Sequence, residues 1–382
     1  MRVLHFYKDY FPESVGGIEQ VIRQMCVGTG RLGVRNQVLT LTRGNDLRPF
    51  EFEGHTVRRV PLDFCIASNG FALRAFGELA RCAADSDVVH YHFPWPFMDL
   101  AHFVARINKP TLVTYHSDIV RQKTLLKLYQ PLKHRFLRSV DAIVATSPNY
   151  LASSAVLARY RDKTRTITYG LDKSIYPVPE PARLAHWRAR VGTKFFLFVG
   201  VLRYYKGLHI LLDAVAGCRY PVVIVGAGPI EHELKAHAAR LGLTHVVFVG
   251  AVDDADKCAL LSLCYALAFP SHLRSEAFGI SLLEGAMYGK PMISSEIGTG
   301  TSYINIDGET GLVVPPSDPH AFGAAMRTLW DNPALAQAMG ERAEARFQQL
   351  FTAEQMAGNY HALYRELVAR HANTPLAAVP AR

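Results

Sequence analysis

The chain of 382 residues is long enough for two domains of ordinary size, each with its own core. Its 49% hydrophobic and 20% charged content is that of a soluble globular protein and excludes a disordered one, and no run approaches the roughly 18 apolar residues of a membrane span. The net charge of +9 is lopsided, with 24 Lys and Arg against 16 Asp and Glu in residues 1–180 and 18 against 17 in residues 181–382, so an anionic partner is to be sought in the first half.

The opening run Arg2–Phe6 is short and meets Lys8 and Asp9 at once. It predicts a first strand and lacks the long apolar centre of a signal peptide. Gly16-Gly17 opens a helix over Ile18–Leu32, and strands follow at Gln37–Thr42, Val88–His92, Thr111–Tyr115 and Ala142–Ala145. Each strand is a continuous apolar run, as a strand covered by helices on both faces requires, and the helix-length spacing between them predicts parallel βαβ units. Between the third and fourth of these later strands lies a stretch without a carboxylate that holds Arg121, Lys123, Lys127, Lys133, Arg135 and Arg138 among leucines and Phe136. Such a basic amphipathic segment suits an anionic membrane surface, at about 1 kcal/mol per cation. A surface helix packing its apolar stripe on its own domain is the other reading. No nucleic-acid motif accompanies the charge, so nucleic acid is not an expected partner.

A proline-rich stretch, Tyr176–Pro181, reads as a linker. Beyond it a second series of strands is predicted at Phe195–Val199, Val222–Val225, Val246–Val249, Ala266–Phe269, Pro291–Ser294 and Gly311–Val314. The expected organisation is a first domain over 1–175, a second over 176–352, a helix over 353–372 returning toward the first domain, and a tail over 373–382. Six cysteines with no Cys-x-x-Cys pair fit a reduced, cytoplasmic setting and no metal cluster. Gly226-Ala227-Gly228-Pro229-Ile230-Glu231 follows a strand, but Glu231 stands where a dinucleotide fingerprint needs its third glycine, so that reading fails.

Parallel sheets bind ligands at the carboxyl ends of their strands, and the distinctive residues all lie there. After Ala266–Phe269 comes Ser275-Glu276-Ala277-Phe278-Gly279-Ile280-Ser281-Leu282-Leu283-Glu284. A helix starting near Gly279 leaves the amides of Gly279 to Leu282 free for a phosphate, with the helix dipole in favour. Glu276 stands before that helix, placed for a sugar hydroxyl, and Glu284 lies within it, placed for two ribose hydroxyls. His116 follows Thr111–Tyr115, and His90 and His92 end the preceding strand, His92 being a candidate to line an acceptor. No Asp-x-Asp pair occupies a suitable loop, so no metal is expected.

Glu276 to Glu284 resembles the paired-glutamate donor motif of the retaining GT-B glycosyltransferases of family 4. Phe198-Val199-Gly200-Val201-Leu202-Arg203-Tyr204-Tyr205-Lys206-Gly207-Leu208 is similar to the same family's strand, glycine, basic pair and Lys-Gly element. The likeness runs from Gly16-Gly17-Ile18-Glu19 to the final helix. Tyr91-His92-Phe93-Pro94, Tyr115-His116-Ser117-Asp118 and Ser271–Glu276 resemble bacterial mannosyl- and rhamnosyltransferases that build lipopolysaccharide O-antigen on an undecaprenyl carrier.

The resemblance implies a GT-B architecture, two Rossmann-like doubly wound parallel-sheet α/β domains facing across a cleft, with the acceptor in the first and a nucleotide sugar in the second. It implies that Lys206 and Arg203 flank the donor diphosphate, with Phe278, Gly279, Ile280, Ser281, Leu282 and Glu284 completing the donor site. The family's arginine usually follows the glycine directly, where this chain has Val201. Gly16 and Gly17 would let backbone approach the diphosphate, His116 would contact the donor sugar, and Glu276 would act beside it. The implied reaction moves an α-mannosyl or α-D-rhamnosyl group from a GDP-sugar to a GlcNAc-diphospho-undecaprenol-type acceptor, to the 3-hydroxyl, with no cofactor or metal. The implied location is the cytoplasmic face of the inner membrane. A UDP-sugar donor, or a nucleotide-sugar epimerase on the same scaffold, is the alternative.

Overall fold

The computed structural model describes residues 1–14, 16–66, 69–119 and 123–373, side chains at 123–126 excepted. The chain forms two compact units, the first from residues 1–146, 154–170 and 353 onward, the second from 147–153 and 171–352. The passage at Gly170–Leu171 lies ahead of the proline-rich stretch. The expected tail lies outside the described residues from 374 on.

In the first unit the strands are β1 (Arg2–Phe6), β2 (Arg35–Thr42), β3 (Phe50–Phe52), β4 (His55–Pro61), β5 (Phe64–Ile66), β6 (Asn69–Phe71), β7 (Val88–Phe93), β8 (Thr111–Tyr115), β9 (Ala142–Ala145) and β10 (Thr164–Thr166). Eight of them form one sheet in the order β10-β9-β8-β7-β1-β2-β4-β3, and β5 and β6 form a separate hairpin. Every residue of β7, β8 and β9 is buried, which is why these strands read as unbroken apolar runs. Within the eight-stranded sheet the pairs are parallel except β3 with β4, which turn through Glu53-Gly54 with positive φ at both residues. The strands absent from the sequence reading are the edge strands β3 and β10, the next-to-edge β4 and the separate β5–β6 hairpin, where part-exposed positions accept residues such as Glu51, Arg58 and Arg59 and the apolar pattern breaks.

The helix Ala353–Asn373 belongs to this first unit and crosses Gly17–Arg31. A side chain at Gly28 would stand 2.7 Å from Ala357 Cβ, so the crossing needs a glycine there. The helix buries Tyr360 and Tyr364, whose hydroxyls meet Thr114 Oγ1 and His90 Nδ1, each at 2.8 Å. Its middle turns therefore complete the core against β7 and β8.

The second unit has β11 (Phe196–Val199), β12 (Val222–Val225), β13 (Val246–Gly250), β14 (Ala266–Phe269), β15 (Met292–Ser295) and β16 (Gly311–Val314), all parallel, in the order β13-β12-β11-β14-β15-β16. Its core joins Phe196, Phe198 and Leu211 to Ile293, Phe322 and Met326. Strand order reverses between β11 and β14, and the carboxyl ends of strands at such a reversal are where parallel α/β sheets bind ligands, in the crevice outside the strand ends. In the first unit the same reversal falls between β1 and β7. Among the described residues, no helix is long and apolar enough to cross a membrane.

Tyr364→Phe would leave His90 Nδ1 buried without its partner. The expected loss is about 1–3 kcal/mol of stability, read as a lower midpoint in urea unfolding.

Candidate functional site

The crevice between β11 and β14 gathers the donor-motif residues of the second unit. Behind β11 the chain runs through Gly200 to a single 3-10 turn, Tyr204–Lys206, and then Gly207 in the left-handed region (φ 69°). A β-carbon on Gly207 would lie 2.0 Å from the carbonyl oxygen of Pro270, the residue that follows β14. Close packing at this glycine carries Lys206 against the second loop. Gly226 does the same on the other side, with its missing β-carbon 2.0 Å from the Gly200 carbonyl. The Gly226-Ala227-Gly228 turn is thus a packing device for the loop that holds Lys206.

Lys206 forms a buried ion pair with Glu276, and Ser271 Oγ donates to the same carboxylate oxygen, Oε2, at 3.1 Å. Burial alone would lower the Lys206 pKa, but Glu276 outweighs it and the net shift is upward, so the ammonium stays charged. Glu276 Oε1 has no hydrogen-bond partner among the described residues. Arg203 is exposed at the mouth of the crevice with no acid paired to it among the described residues. His272 braces the loop from beneath, through Ser317 Oγ at 2.9 Å and the Tyr204 carbonyl at 3.2 Å.

Beyond Glu276, Gly279 turns the chain with φ 97° into the helix Ile280–Met287. The first helical bond is from Leu283 N to Gly279 O at 3.2 Å, so the amides of Ile280, Ser281 and Leu282 precede the internal ladder. Phe278 is buried and packs edge-on to Phe351. Its part is to hold the turn. Glu284 is buried in the same helix, with Oε1 accepting from Tyr176 Oη at 3.2 Å and facing Lys257 Nζ at 3.0 Å. Burial opposes the Lys257 charge, while Glu284 and Asp254 raise its pKa above the ordinary value. Tyr176, Lys257 and Ser271 were not singled out by sequence. Nothing local marks them: Tyr176 and Lys257 lie on other elements from Glu284, and Ser271 is one serine among the residues of the loop before Glu276.

In the first unit His116 leaves β8 and joins a chain of buried groups. Thr29 Oγ1 donates to the Met25 carbonyl at 2.7 Å and accepts from Asn36 Nδ2 at 2.9 Å, which also donates to the Cys26 carbonyl. The Asn36 amide is thereby oriented, and its Oδ1 accepts from His5 Nε2 at 3.2 Å. A neutral imidazole has one N–H. His5 Nδ1 therefore accepts from His92 Nε2 at 3.2 Å, and His92 Nδ1 accepts from His116 Nε2 at 3.0 Å. His116 Nδ1 is left as an acceptor, and the Tyr169 hydroxyl donates to it. Burial drives the pKa of His5 and of His116 down to about 3, and those of His90 and His92 well below the ordinary value, so the rings are neutral. Ring nitrogens of His5, His90 and His92 lie within 4.8 Å of one another, a metal-like spacing. Their lone pairs are already spent on the chain and on Tyr364 and Thr114.

Two expectations require correction. His92 was expected to line an acceptor, but it has no exposed surface and both ring nitrogens are engaged by histidines. Lys133 was expected at a membrane surface, but it is buried, faces Asp118 and Asp99, and its pKa is lowered by desolvation. The helix Lys123–Ser139 is wound so that Lys133, Phe136 and Leu137 face inward together. Lys127, Arg135 and Arg138 are exposed, Arg135 lying over the Phe103 ring. Arg121 lies outside the described residues, as does the side chain of Lys123. Gly16 and Gly17 stand at the start of the first helix, where Glu19 folds back until its Oε2 is 2.5 Å from a β-carbon placed on Gly16.

Residues 15–174 match the family described as Glycosyltransferase Family 4, and residues 183–346 match Glycosyl transferases group 1. D-rhamnosyltransferase WbpZ of Pseudomonas aeruginosa is 66% identical over 353 residues, 92% of this chain and 93% of that protein. O-antigen chain mannosyltransferase C of Escherichia coli is 52% identical over 368 residues, 96% and 99% of the two chains. Among solved structures, sucrose-phosphate synthase from Thermosynechococcus elongatus superimposes with a TM-score of 0.78 at 22% identity, covering 97% of this chain and 99% of that one. Anabaena Alr3699/HepE in complex with UDP-glucose gives 0.76 at 20% identity, with 96% and 100% covered. These likenesses establish the fold.

Unfolded histidines take up a proton near 6.5, whereas those in the chain resist it down to about 3 in the case of His5 and His116. The unfolded state thus binds more protons within that window. Stability is complete above 6.5 and is expected to fall with pH below it, by up to about 1.4 kcal/mol per pH unit for each histidine held neutral. Urea unfolding at stepped pH reads the slope, and a flat profile would contradict the neutral chain. His92→Gln retains one donor and one acceptor and should keep the His116 proton on Nε2. His92→Leu should not, and nitrogen-15 NMR of the imidazoles separates the two.

Proposed function

The chain belongs to glycosyltransferase family 4 and is a glycosyltransferase of the GT-B fold, and on that premise we propose that it transfers an α-mannosyl or α-D-rhamnosyl residue from a GDP-sugar to a GlcNAc-diphospho-undecaprenol-type acceptor during O-antigen synthesis. That one relative is a D-rhamnosyltransferase and the other a mannosyltransferase supports this pair of sugars. D-rhamnose is 6-deoxy-D-mannose, so the two sugars differ only at C6.

The observation that carries the reading is the Lys206–Glu276 pair beside the free amides of Ile280 to Leu282. Loss of a sugar from a nucleoside diphosphate leaves negative charge on the departing oxygen. Lys206 and those amides are donors fixed in place before the charge develops, such preorganisation being worth more than the same contacts in water, and the exposed Arg203 adds a second cation. The acceptor hydroxyl bonds to the anomeric carbon on the face the diphosphate leaves. The carbon–oxygen bond to phosphate breaks with its electron pair going to GDP, and the hydroxyl proton passes to the leaving phosphate oxygen. In this scheme Glu276 Oε1 meets a sugar hydroxyl and Glu284 takes the ribose hydroxyls. His116 offers an acceptor nitrogen to a substrate hydroxyl once Tyr169 yields. Gly16 and Gly17 let backbone approach the diphosphate. No metal or cofactor enters this scheme, so transfer should survive EDTA.

The acceptor reading puts the enzyme on the cytoplasmic face of the inner membrane. Exposed Lys127, Leu128, Arg135 and Arg138 support a peripheral contact there.

Purified protein incubated with GDP-mannose, GDP-D-rhamnose and UDP-sugars, plus a synthetic GlcNAc-diphosphate lipid, should give product only from a GDP-sugar, identified by mass and NMR. Product from a UDP-sugar alone would favour the other donor class. Lys206→Ala should lower kcat by about 10²-fold or more with an unchanged far-UV spectrum. Wild-type turnover in that variant would remove the site assignment.

A further inference from the structure

The first unit holds a second concave site that the reaction scheme leaves unused. A cavity of about 620 Å³ lies between β4 and the helix Arg74–Ala84, lined by Arg58, Arg74 and Arg81 and by Val60, Pro61 and Leu73. Its size is that of a small-molecule site. Arg58 Nε is buried without a hydrogen-bond partner, and Arg74 is exposed with no acid paired to it among the described residues. Glu78 is the carboxylate in the lining, and it is bound to Arg81. Asp63, just outside, accepts from the Leu73 amide at 2.7 Å. Arg59 also borders the cavity, but its guanidinium is turned to Glu13 at 3.3 Å and lies over Phe50. The site therefore carries an excess of positive charge with unsatisfied donors.

Directly beside it stands the β5–β6 hairpin, tied to the lip of the cavity by Asp63 N to Phe71 O at 2.9 Å. The hairpin is braced on its inner side. Trp95 Nε1 donates to the Gly70 carbonyl at 2.9 Å, Gly70 packs against Leu41 and Leu62, and Phe71 meets Phe97 edge-on. Its outer side is apolar and wet, with Phe64 49%, Ile66 55% and the neighbouring Leu73 69% exposed. A firmly held strand pair that shows large apolar side chains next to unpaired guanidinium groups matches a ligand that is anionic at one end and hydrocarbon at the other.

We propose that this cavity and hairpin bind a prenyl diphosphate, the diphosphate at Arg58, Arg74 and Arg81 and the first isoprene units along Phe64, Ile66 and Leu73. The inference rests on the lipid-linked acceptor reading above and gives that acceptor a place to hold its carrier. A nucleotide sugar lacks the hydrocarbon, and inorganic diphosphate lacks any use for the hairpin.

The test is calorimetric titration of the full chain with farnesyl diphosphate, farnesol and inorganic diphosphate. Farnesyl diphosphate should bind more tightly than either fragment, and Arg58→Gln/Arg74→Gln should weaken it about tenfold or more. Phe64→Ser/Ile66→Ser should weaken farnesyl diphosphate while leaving inorganic diphosphate unchanged. GDP affinity should stay at the parent value in both double variants, which reports an intact second unit. Arg74→Gln alone, at an exposed position, keeps the test if Arg58 proves necessary for folding. Unchanged farnesyl diphosphate affinity in the arginine variants would overturn the proposal, as would inorganic diphosphate binding as tightly as the prenyl ester. Equal competition by phosphatidylglycerol vesicles would also overturn it, as the mark of a general anionic-lipid surface. In transfer assays Arg74→Gln should raise the KM for the lipid acceptor and spare kcat. A parent enzyme that transfers to no lipid acceptor would sink the acceptor reading, and the titration would then judge the cavity by itself.

Discussion

Lys206 meets Glu276 because backbone lies against backbone where side chains would not fit. Gly207 has the Pro270 carbonyl where its β-carbon would be, and Gly226 has the Gly200 carbonyl. These two approaches clamp the loops that leave β11 and β14 and bring an ammonium and a carboxylate into contact at the point where the sheet's strand order reverses. The helix beginning at Ile280 then adds amides to the same edge. Each later feature of the donor site inherits its position from this packing, so the chemistry depends on residues with no functional group at all.

The two units solve the cost of buried polarity in opposite ways. In the second, each glutamate of the motif has its own lysine, Lys206 for Glu276 and Lys257 for Glu284, and charge is kept by pairing. Removing one partner of such a pair is expensive because the other charge remains buried. In the first, the buried histidines have no carboxylate among their direct partners and are kept neutral by desolvation and by one another. Their order is set at one end by Thr29 and Asn36, residues remote in sequence from His116. A fixed sequence of donors and acceptors gives His116 one tautomer, which a lone buried ring would not have.

Strands with both faces covered were legible as sequence, because burial on two sides favours apolar side chains and admits polar ones only where they find partners inside, as His90, His92 and Thr114 do: β7, β8, β11 and β14 lie where their largely apolar runs stand. The edge strands β3 and β10 and the next-to-edge β4 were not, since partial exposure lets charge into the pattern. The donor motif was legible for a related reason, its members being clustered within nine residues and tied to a strand–loop–helix transition. Its supports were not. Ser271 sits close to Glu276 in sequence yet looks like any loop serine, and Tyr176 and Lys257 reach Glu284 from other elements. The membrane-like stretch failed at Lys133 because composition says nothing about helix rotation, and the turn of the helix put that lysine beneath Asp99 and Asp118 rather than toward water.

The helix Ala353–Asn373 has a bearing on how the polypeptide matures on the ribosome. It supplies Tyr360 and Tyr364 to a sheet whose first strand, Arg2–Phe6, is translated long before it. All of the second unit is synthesised in between, so the second unit has its whole sequence available while the first still waits for its closing helix. Until then β7 and β8 keep polar groups and apolar surface uncovered, a state that nascent-chain chaperones recognise. A chain cut short ahead of Ala353 would accordingly be injured in the first of its two units rather than in the one just completed.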